Sequence, residues 1–289
     1  MKKTTSKILV LGASGMLGNA VLRIFSESDN YITVGTVRSE KVVNLLPVQV
    51  RERLIIGFDL EDVDNLIKVF DSVKPDVVIN CIGVVKQLPD ANDPLSALPL
   101  NSILPHRLAN LCGVAGARLV HMSTDCVYSG CKGMYTEEDF PDATDLYGRS
   151  KLLGEVDYPH AITLRTSIIG HELAGARSLL CWFLGETGCV SGFSRAVFSG
   201  LPTVEIARLI RDYVLPNPQL HGVYHVSSDP INKYDLLKLV ARTYGKIIDI
   251  EKNEDYVIDR SLDSVRFREK TGYIPASWER LIISMHEFR

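Results

Sequence analysis

The chain has 289 residues, of which 46% are hydrophobic and 23% charged, and its formal net charge is −3. A length of that order accommodates one large α/β unit carrying a smaller lobe. The balanced charge excludes the concentrated basic face of a nucleic-acid binder, and no apolar run reaches the roughly 18 residues of a membrane span.

The opening Met1-Lys-Lys-Thr-Thr-Ser-Lys7 carries too little apolar sequence for a secretory signal. Short β-branched runs then alternate with longer helical patterns, which marks a parallel sheet covered on both faces, a doubly wound α/β fold. Strands are expected at 7–11, 31–37, 53–58, 76–80, 117–122 and 161–164, with helices at 16–28, 61–73 and 103–114. A further helix is expected from about 145 to 157, after a polar loop containing Thr136-Glu-Glu-Asp-Phe-Pro141. Glycine and proline then become frequent (Gly185, Gly188, Gly192, Gly200, Pro202). Helical patterns return at 203–215 and 233–244, around a strand-like Gly222-Val-Tyr-His-Val-Ser227. No repeat, low-complexity tract or flexible linker separates the halves. A dinucleotide-binding domain is therefore expected over 1–167, with 196–227 returning to it, interwoven with a substrate lobe formed by 168–195 and 228–289.

Gly12-Ala-Ser14-Gly15-Met16-Leu17-Gly18 directly follows the first strand and opens the first helix. Glycines in such a turn let the backbone approach a pyrophosphate, whose charge is stabilised by free N–H groups and the helix dipole. A tight turn with close helix packing gives the same letters, but the place at the start of a βαβ series favours dinucleotide binding and a Rossmann-type domain. At the end of the second strand an acidic residue would hold the ribose of NAD, whereas an arginine accommodates the extra phosphate of NADP. Arg38 stands there with Ser39 as a second donor, so NADPH is the expected cofactor, while the neighbouring Glu40 keeps NADH open. Asp59-Leu60, at the third strand end, suits the adenine edge; an aspartate there is equally a helix N-cap.

Tyr147-Gly-Arg-Ser-Lys151 is the most informative stretch. Positions i and i+4 share one helix face, so the phenol and the ammonium project together. An unperturbed phenol titrates near ~10, and an adjacent ammonium is expected to draw it toward the working range. Donating its proton to a carbonyl oxygen while hydride reaches the carbon would make Tyr147 the acid of a reduction. Tyr-x-x-x-Lys is common by chance on helix surfaces; here Ser123-Thr124-Asp125-Cys126 precedes it at the fifth strand end, where doubly wound folds face their ligands. The Thr124 hydroxyl could polarise a sugar carbonyl and share a proton with Tyr147. Asn101 could fix the backbone of the active-site helix or relay protons through water, although an asparagine near a helix start also caps. The six cysteines (Cys81, Cys112, Cys126, Cys131, Cys181, Cys189) form no Cys-x-x-Cys pair and no ligand spacing with histidine, so reduced thiols in a cytoplasm and no metal are expected.

These residues resemble the extended short-chain dehydrogenase/reductases, and within them the dTDP-4-dehydrorhamnose reductase group. The resemblance runs almost end to end, through the glycine turn, Ser123-Thr-Asp125, Tyr147 to Lys151, Leu164-Arg-Thr-Ser167, Gly222 to Ser227 and Arg266-Phe-Arg-Glu-Lys-Thr-Gly-Tyr273. It implies a catalytic set falling on Thr124, Tyr147 and Lys151, and cofactor contacts from Cys81, Ile82 and Gly83 after the fourth strand. It further implies NADPH-dependent reduction of the 4-keto group of a nucleotide-linked 6-deoxy sugar, with dTDP-linked or UDP-linked N-acetylated substrates both open. Two departures stand out: Cys126 replaces an aromatic usual in the group, and the segment 171–195 matches poorly. Arg177, Arg195 and Arg266 are candidates for the substrate pyrophosphate, Asp125 for the sugar, and Trp182 with Phe193 for the base; surface ion pairing and core packing are the plainer roles for these side chains. The expected partners are the nucleotide sugar and, in a homodimer, a second copy; neither nucleic acid nor membrane is expected. The alternatives are a non-catalytic NADP-binding regulatory subunit, as proteins similar to this group are in methionine adenosyltransferase complexes, or a nucleotide-sugar epimerase or dehydratase. Dehydratases place Thr-Asp-Glu where this chain has Thr124-Asp125-Cys126, and a thiol in an apolar setting is a poor substitute for that carboxylate.

Overall fold

The computed structural model describes residues 5–59, 62–84 and 92–289; Leu60 lies outside the described residues. The first strand, β1 (Ser6–Leu11), buries Ile8, Leu9, Val10 and Leu11 completely, as a strand covered on both faces must. The elements that follow are α1 (Met16–Ser26), β2 (Tyr31–Val37), α2 (Val48–Arg51), β3 (Leu54–Ile56), α3 (Val63–Val73), β4 (Val77–Asn80), α4 (Pro94–Leu98), α5 (Leu104–Ala115), β5 (Arg118–Thr124), α6 (Leu146–Leu153) and β6 (Ala161–Thr166). The second part contains β7 (Ile168–Ile169), α7 (Leu179–Gly185), β8 (Cys189–Phe193), β9 (Ala196–Phe198), β10 (Leu201–Pro202), α8 (Thr203–Leu209) and β11 (Gly222–His225). It closes with β12 (Ile231–Asn232), α9 (Lys233–Tyr244), β13 (Asp249–Asn253), β14 (Ile258–Asp259), α10 (Val265–Thr271) and α11 (Trp278–Glu287).

Seven strands form one parallel sheet in the order β11-β6-β5-β4-β1-β2-β3. The chain starts at β1, runs outward to β3, then crosses back to β4 and proceeds the other way. The switch lies between β1 and β4, and open α/β sheets bind their ligands at the carboxyl ends flanking such a point. One face of the sheet packs on α1, and the core behind it continues through α8, α9 and α11 with residues such as Val21, Phe25, Val204, Leu236 and Ile282; the other face shares a core with α3 and α5 through Leu66, Phe70, Leu104 and Leu108. Smaller pairings (β10-β7, β12-β9-β14 and β13-β8) build the remaining part. Among the described residues no helix is long and apolar enough to cross a membrane.

Three expected helices differ in form; the one over 203–215 is α8 to Leu209 followed by a π-helical turn, Ile210–Val214. The pattern over 103–114 belongs to a longer run in which α4 passes through a π-helical turn, Pro99–Ile103, into α5. The helix expected over 145–157 stops at Leu153 with Gly154 as its C-cap, a position packed so closely that a Cβ would collide with the Asn101 carbonyl. The chain turns there and Val156 N–H donates to Thr163 Oγ1 at 3.0 Å, which leads it into β6.

Candidate active site

The glycine turn is shaped by contact. Gly12 has φ +81°, a conformation that side chains rarely adopt, and a Cβ there would meet Ile82 Cγ1 at 2.7 Å. A Cβ on Gly18 would run into the Gly12 carbonyl, so the third glycine seats α1 on the turn. Gly12 N–H donates to Thr36 Oγ1 at 3.2 Å and Ala13 N–H to Thr36 O at 2.9 Å, tying the turn to β2. Gly15 occupies the N-cap position of α1 and provides no side-chain acceptor. The first amides of the helix are thus left for an anion, with the positive end of the dipole behind them. Ser14 and Met16 are partly exposed beside this turn, whereas Leu17 buries its side chain in the core and offers only its backbone.

Arg38 is exposed at the end of β2. Ser39 beside it uses its Oγ to accept Lys41 N–H at 3.2 Å, capping the 3-10 turn Glu40–Leu45. Asp59 is exposed past β3, and the capping role open to it falls instead to Asp62, whose Oδ1 accepts Asp64 N–H and Asn65 N–H at the start of α3. After β4, Cys81 N–H donates to Leu11 O at 3.1 Å and Ile82 N–H to Asn80 Oδ1 at 3.1 Å. A Cβ on Gly83 would lie 3.0 Å from Asn101 Oδ1 and 3.8 Å from Lys151 Nζ, so this strand end runs directly over the active-site helix. Asn101, fully buried in the π-helical turn, accepts Val84 N–H at 2.9 Å and donates to Val84 O and Ser150 Oγ. It clamps the segment after β4 to α6 and caps nothing.

Thr124 ends β5, and its hydroxyl accepts Cys126 N–H at 3.1 Å, donates to Asp125 Oδ1 at 3.2 Å and is hydrogen-bonded to Tyr147. Asp145 caps α6 by accepting Gly148 N–H at 2.7 Å, which sets the helix so that Tyr147 reaches Thr124. A turn later Lys151, 5% exposed, donates from Nζ to the Met122 carbonyl at 2.6 Å. Burial draws Lys151 down to about 8, opposed first by the Glu155 carboxylate and then by Cys81. Lys151 is not among the leading influences on the Tyr147 phenol. Burial and the neighbouring Cys126 push Tyr147 above the ordinary phenol value, and the Thr124 hydrogen bond only partly opposes them. The ammonium is directed at a strand carbonyl.

The turn after β5 also differs from expectation. Cys126 does not sit among apolar groups alone: Arg260 Nη1 donates to its sulfur at 3.8 Å, and Arg260 Nε to Tyr128 O at 2.8 Å. Burial raises Asp125, opposed chiefly by Arg260, and Lys233 adds to that field. Arg260, just past β14, and Lys233, at the start of α9, were not singled out from the sequence. Nothing local marks them, since both reach the site from the far part of the chain.

The candidate substrate arginines are not drawn into this cluster. Arg177 is exposed and its amide donates to Glu172 Oε2 at 2.8 Å. Arg195 is exposed near Glu254. Arg266 lies over the Tyr224 ring, 5.0 Å from its centroid, and near Glu137, contacts that anchor α10 to the sheet edge. Trp182 packs against the core with the fully buried Phe183, and Phe193 meets Tyr256 edge-on at 5.4 Å, so both aromatics have protein partners.

Fold, glycine turn and the Thr124–Tyr147–Lys151 set together define the class: an NAD(P)-dependent oxidoreductase of the extended short-chain dehydrogenase/reductase type. The model of the family described as RmlD substrate binding domain matches residues 6–254, and the chain belongs to that family. It is similar to the probable low-salt glycan biosynthesis reductase Agl14 of Haloferax volcanii, 31% identical over 211 residues, a match that spans 71% of this chain and 64% of that protein. It is also 28% identical over 270 residues to methionine adenosyltransferase 2 subunit beta of Mus musculus, covering 83% of this chain and 72% of that one. The dTDP-4-dehydrorhamnose reductase of Bacillus anthracis, solved in complex with NADP, superposes with a TM-score of 0.81 at 18% identity, over 99% of this chain and 100% of that one.

Proposed function

We propose that this chain is an NADPH-dependent reductase of the 4-keto group of a nucleotide-linked 6-deoxy sugar, dTDP-linked or UDP-linked and N-acetylated. The observation that carries the reading is the placing of Tyr147, hydrogen-bonded to Thr124 at the carboxyl end of β5, while Lys151 is held on the Met122 carbonyl beneath Gly83 one turn away. The residues fit a dinucleotide, since only glycine leaves room at Gly12 and Gly18 and the uncapped start of α1 suits a pyrophosphate. When bound, the reduced cofactor supplies the hydride. Gly12, Ser14, Gly15, Met16 and Leu17 would hold its pyrophosphate, Arg38 and Ser39 its extra phosphate, Asp59 its adenine end, and Cys81, Ile82, Gly83 and Lys151 its ribose end.

Tyr147 then donates its proton to the keto oxygen, and Thr124 shares a hydrogen bond with the same oxygen as charge develops there. Asp125, Cys126, Arg260 and Lys233 border the sugar side. Residues 168–195 and 228–289 form the substrate lobe in this reading, with the exposed Arg177 and Arg195 left for the nucleotide phosphates. The reaction is placed in the cytoplasm, where the free cysteines stay reduced, and the active species is a homodimer.

The likeness to methionine adenosyltransferase 2 subunit beta favours a second reading, an NADP-binding subunit without turnover. One assay separates the two. Mixing the protein with NADPH and a panel of 4-keto-6-deoxy nucleotide sugars should give loss of reduced-cofactor absorbance for at least one of them, and binding of NADPH without any loss selects the subunit reading.

A further inference from the structure

Arg165 belongs to β6, a strand with every residue buried. A guanidinium in such a place is strongly penalised unless a carboxylate and further acceptors meet it. Glu155 meets it twice, with Arg165 Nε donating to Oε1 at 2.7 Å and Nη2 to Oε2 at 2.6 Å, and the two side chains are only 6% and 7% exposed. Arg165 Nη1 donates to Tyr128 Oη at 2.7 Å and to His225 Nε2 at 3.3 Å. His225 Nδ1 donates to Tyr135 O, and burial with Arg165 lowers the imidazole to about 4, which keeps it a neutral acceptor.

The carboxylate also grips the active-site strand. Ser123 Oγ donates to Glu155 Oε1 at 2.7 Å. Ser123 stands between Met122, whose carbonyl takes the Lys151 ammonium, and Thr124, which is bonded to Tyr147. The titratable groups whose fields reach Lys151 are Glu155 just past its own helix, Cys81 after β4 and His121 in β5. Burial pushes the Cys81 thiol up to about 12, holds His121 well below the usual imidazole range and raises Tyr147. Of the groups that act on Lys151, the Glu155 carboxylate acts most strongly. Arg165 balances it from the opposite side.

We propose that Glu155 is a positioning residue of the active site: held by Arg165, its carboxylate grips Ser123 and so fixes the strand that carries Thr124 and the Met122 carbonyl on which the Lys151 ammonium rests. It touches neither cofactor nor substrate in this role. Its kinetic consequence rests on the reductase reading, whereas its effect on Lys151 does not.

The test is titration of Lys151 by NMR in full-length protein carrying 13C-labelled lysine side chains, with no cofactor or sugar added. The Lys151 resonance is identified by its loss in Lys151→Met. In the wild type it should titrate near 8. Glu155→Gln should move the midpoint down by about one unit, and Arg165→Met should move it up, because the carboxylate is then uncompensated. Glu155→Gln strands a buried guanidinium, so the double variant Glu155→Gln/Arg165→Met repeats the test with no lone charge and should also move down. Midpoints that coincide with the wild type in a folded variant lacking Glu155, or failure of both such variants to fold, would reduce Glu155 to a structural ion pair and overturn the proposal. In the kinetic arm, kcat/KM for keto-sugar reduction by Glu155→Gln should be about fivefold below wild type at pH 8 and nearly unchanged at pH 6. Absence of turnover in every chain, wild type included, sinks the reductase reading and leaves the lysine titration to judge Glu155.

Discussion

Removing the Tyr147 hydroxyl keeps the aromatic ring on α6, so Tyr147→Phe isolates the proton donor. We expect kcat to fall by on the order of 100-fold to 10,000-fold with NADPH affinity within about twofold of wild type, measured by turnover and by cofactor titration. A near-normal rate contradicts the assigned acid. Lys151 carries a cost as well as a role. Its folded value of about 8 lies below the ordinary 10.5, so the unfolded chain binds the extra proton between those values and stability rises with pH across that window. Lys151→Met should therefore abolish turnover, flatten the pH dependence of the urea midpoint between about 8 and 10.5, and unfold no more easily than wild type at pH 7. Arg38→Ala should erase most of an NADPH preference of about tenfold or more, the size expected of a charge-assisted contact. Equal use of NADH by the wild type contradicts that assignment. At this scale the Tyr147–Lys151 pair was legible because helical spacing puts i and i+4 on one face. Arg260 and Lys233 were not, because only the folded chain brings them to Cys126. Arg165 held a readable clue: a lone guanidinium inside Ala161-Ile-Thr-Leu-Arg-Thr166 demands a buried carboxylate, and Glu155 is the near candidate.

The elements that build the site meet through glycines and one asparagine. Gly154 ends α6 against the Asn101 carbonyl, with Pro105 Cγ 3.1 Å from where its Cβ would stand. Gly154→Ala must push α6 away from the π-helical turn, and we expect a loss of about 2 kcal/mol in urea unfolding together with reduced turnover, since Asn101 and Lys151 move with their elements. An unchanged urea midpoint contradicts this packing account. Periodicity located β1, β2 and α9 closely, because their apolar residues repeat with a clean period and turn residues bound them. It missed the stop at Gly154, where the chain packs closely on Asn101. The π-helical turn at Pro99–Ile103 is likewise invisible to a 3.6-residue pattern, although its wide turn is what aims Asn101 at Val84 and Ser150.

For the whole molecule, the order β11-β6-β5-β4-β1-β2-β3 puts the glycine turn, the Cys81–Gly83 segment and the Thr124 turn at adjacent carboxyl ends, flanking the switch between β1 and β4. That architecture was readable from strand and helix alternation. The small sheets of the second part were not, because strands such as β7, β10 and β12 have two residues each and pair with distant partners. The same part delivers Arg260 and Lys233 to the Thr124–Cys126 turn, and at that turn the reductase and dehydratase readings diverge. Removing water from a parent sugar needs an acid and a base besides the tyrosine; Asp125 is present beside Thr124, but Cys126 offers a thiol to Arg260 where a second carboxylate would be required. A dehydratase also regenerates its cofactor, whereas a reductase consumes it. The most direct measurement is therefore the stoichiometry of NADPH oxidation with a 4-keto-6-deoxy nucleotide sugar, run beside dTDP-glucose and UDP-N-acetylglucosamine. We predict one NADPH oxidised per keto sugar reduced and no keto product from either parent; dehydration of a parent sugar without net loss of NADPH would contradict the account.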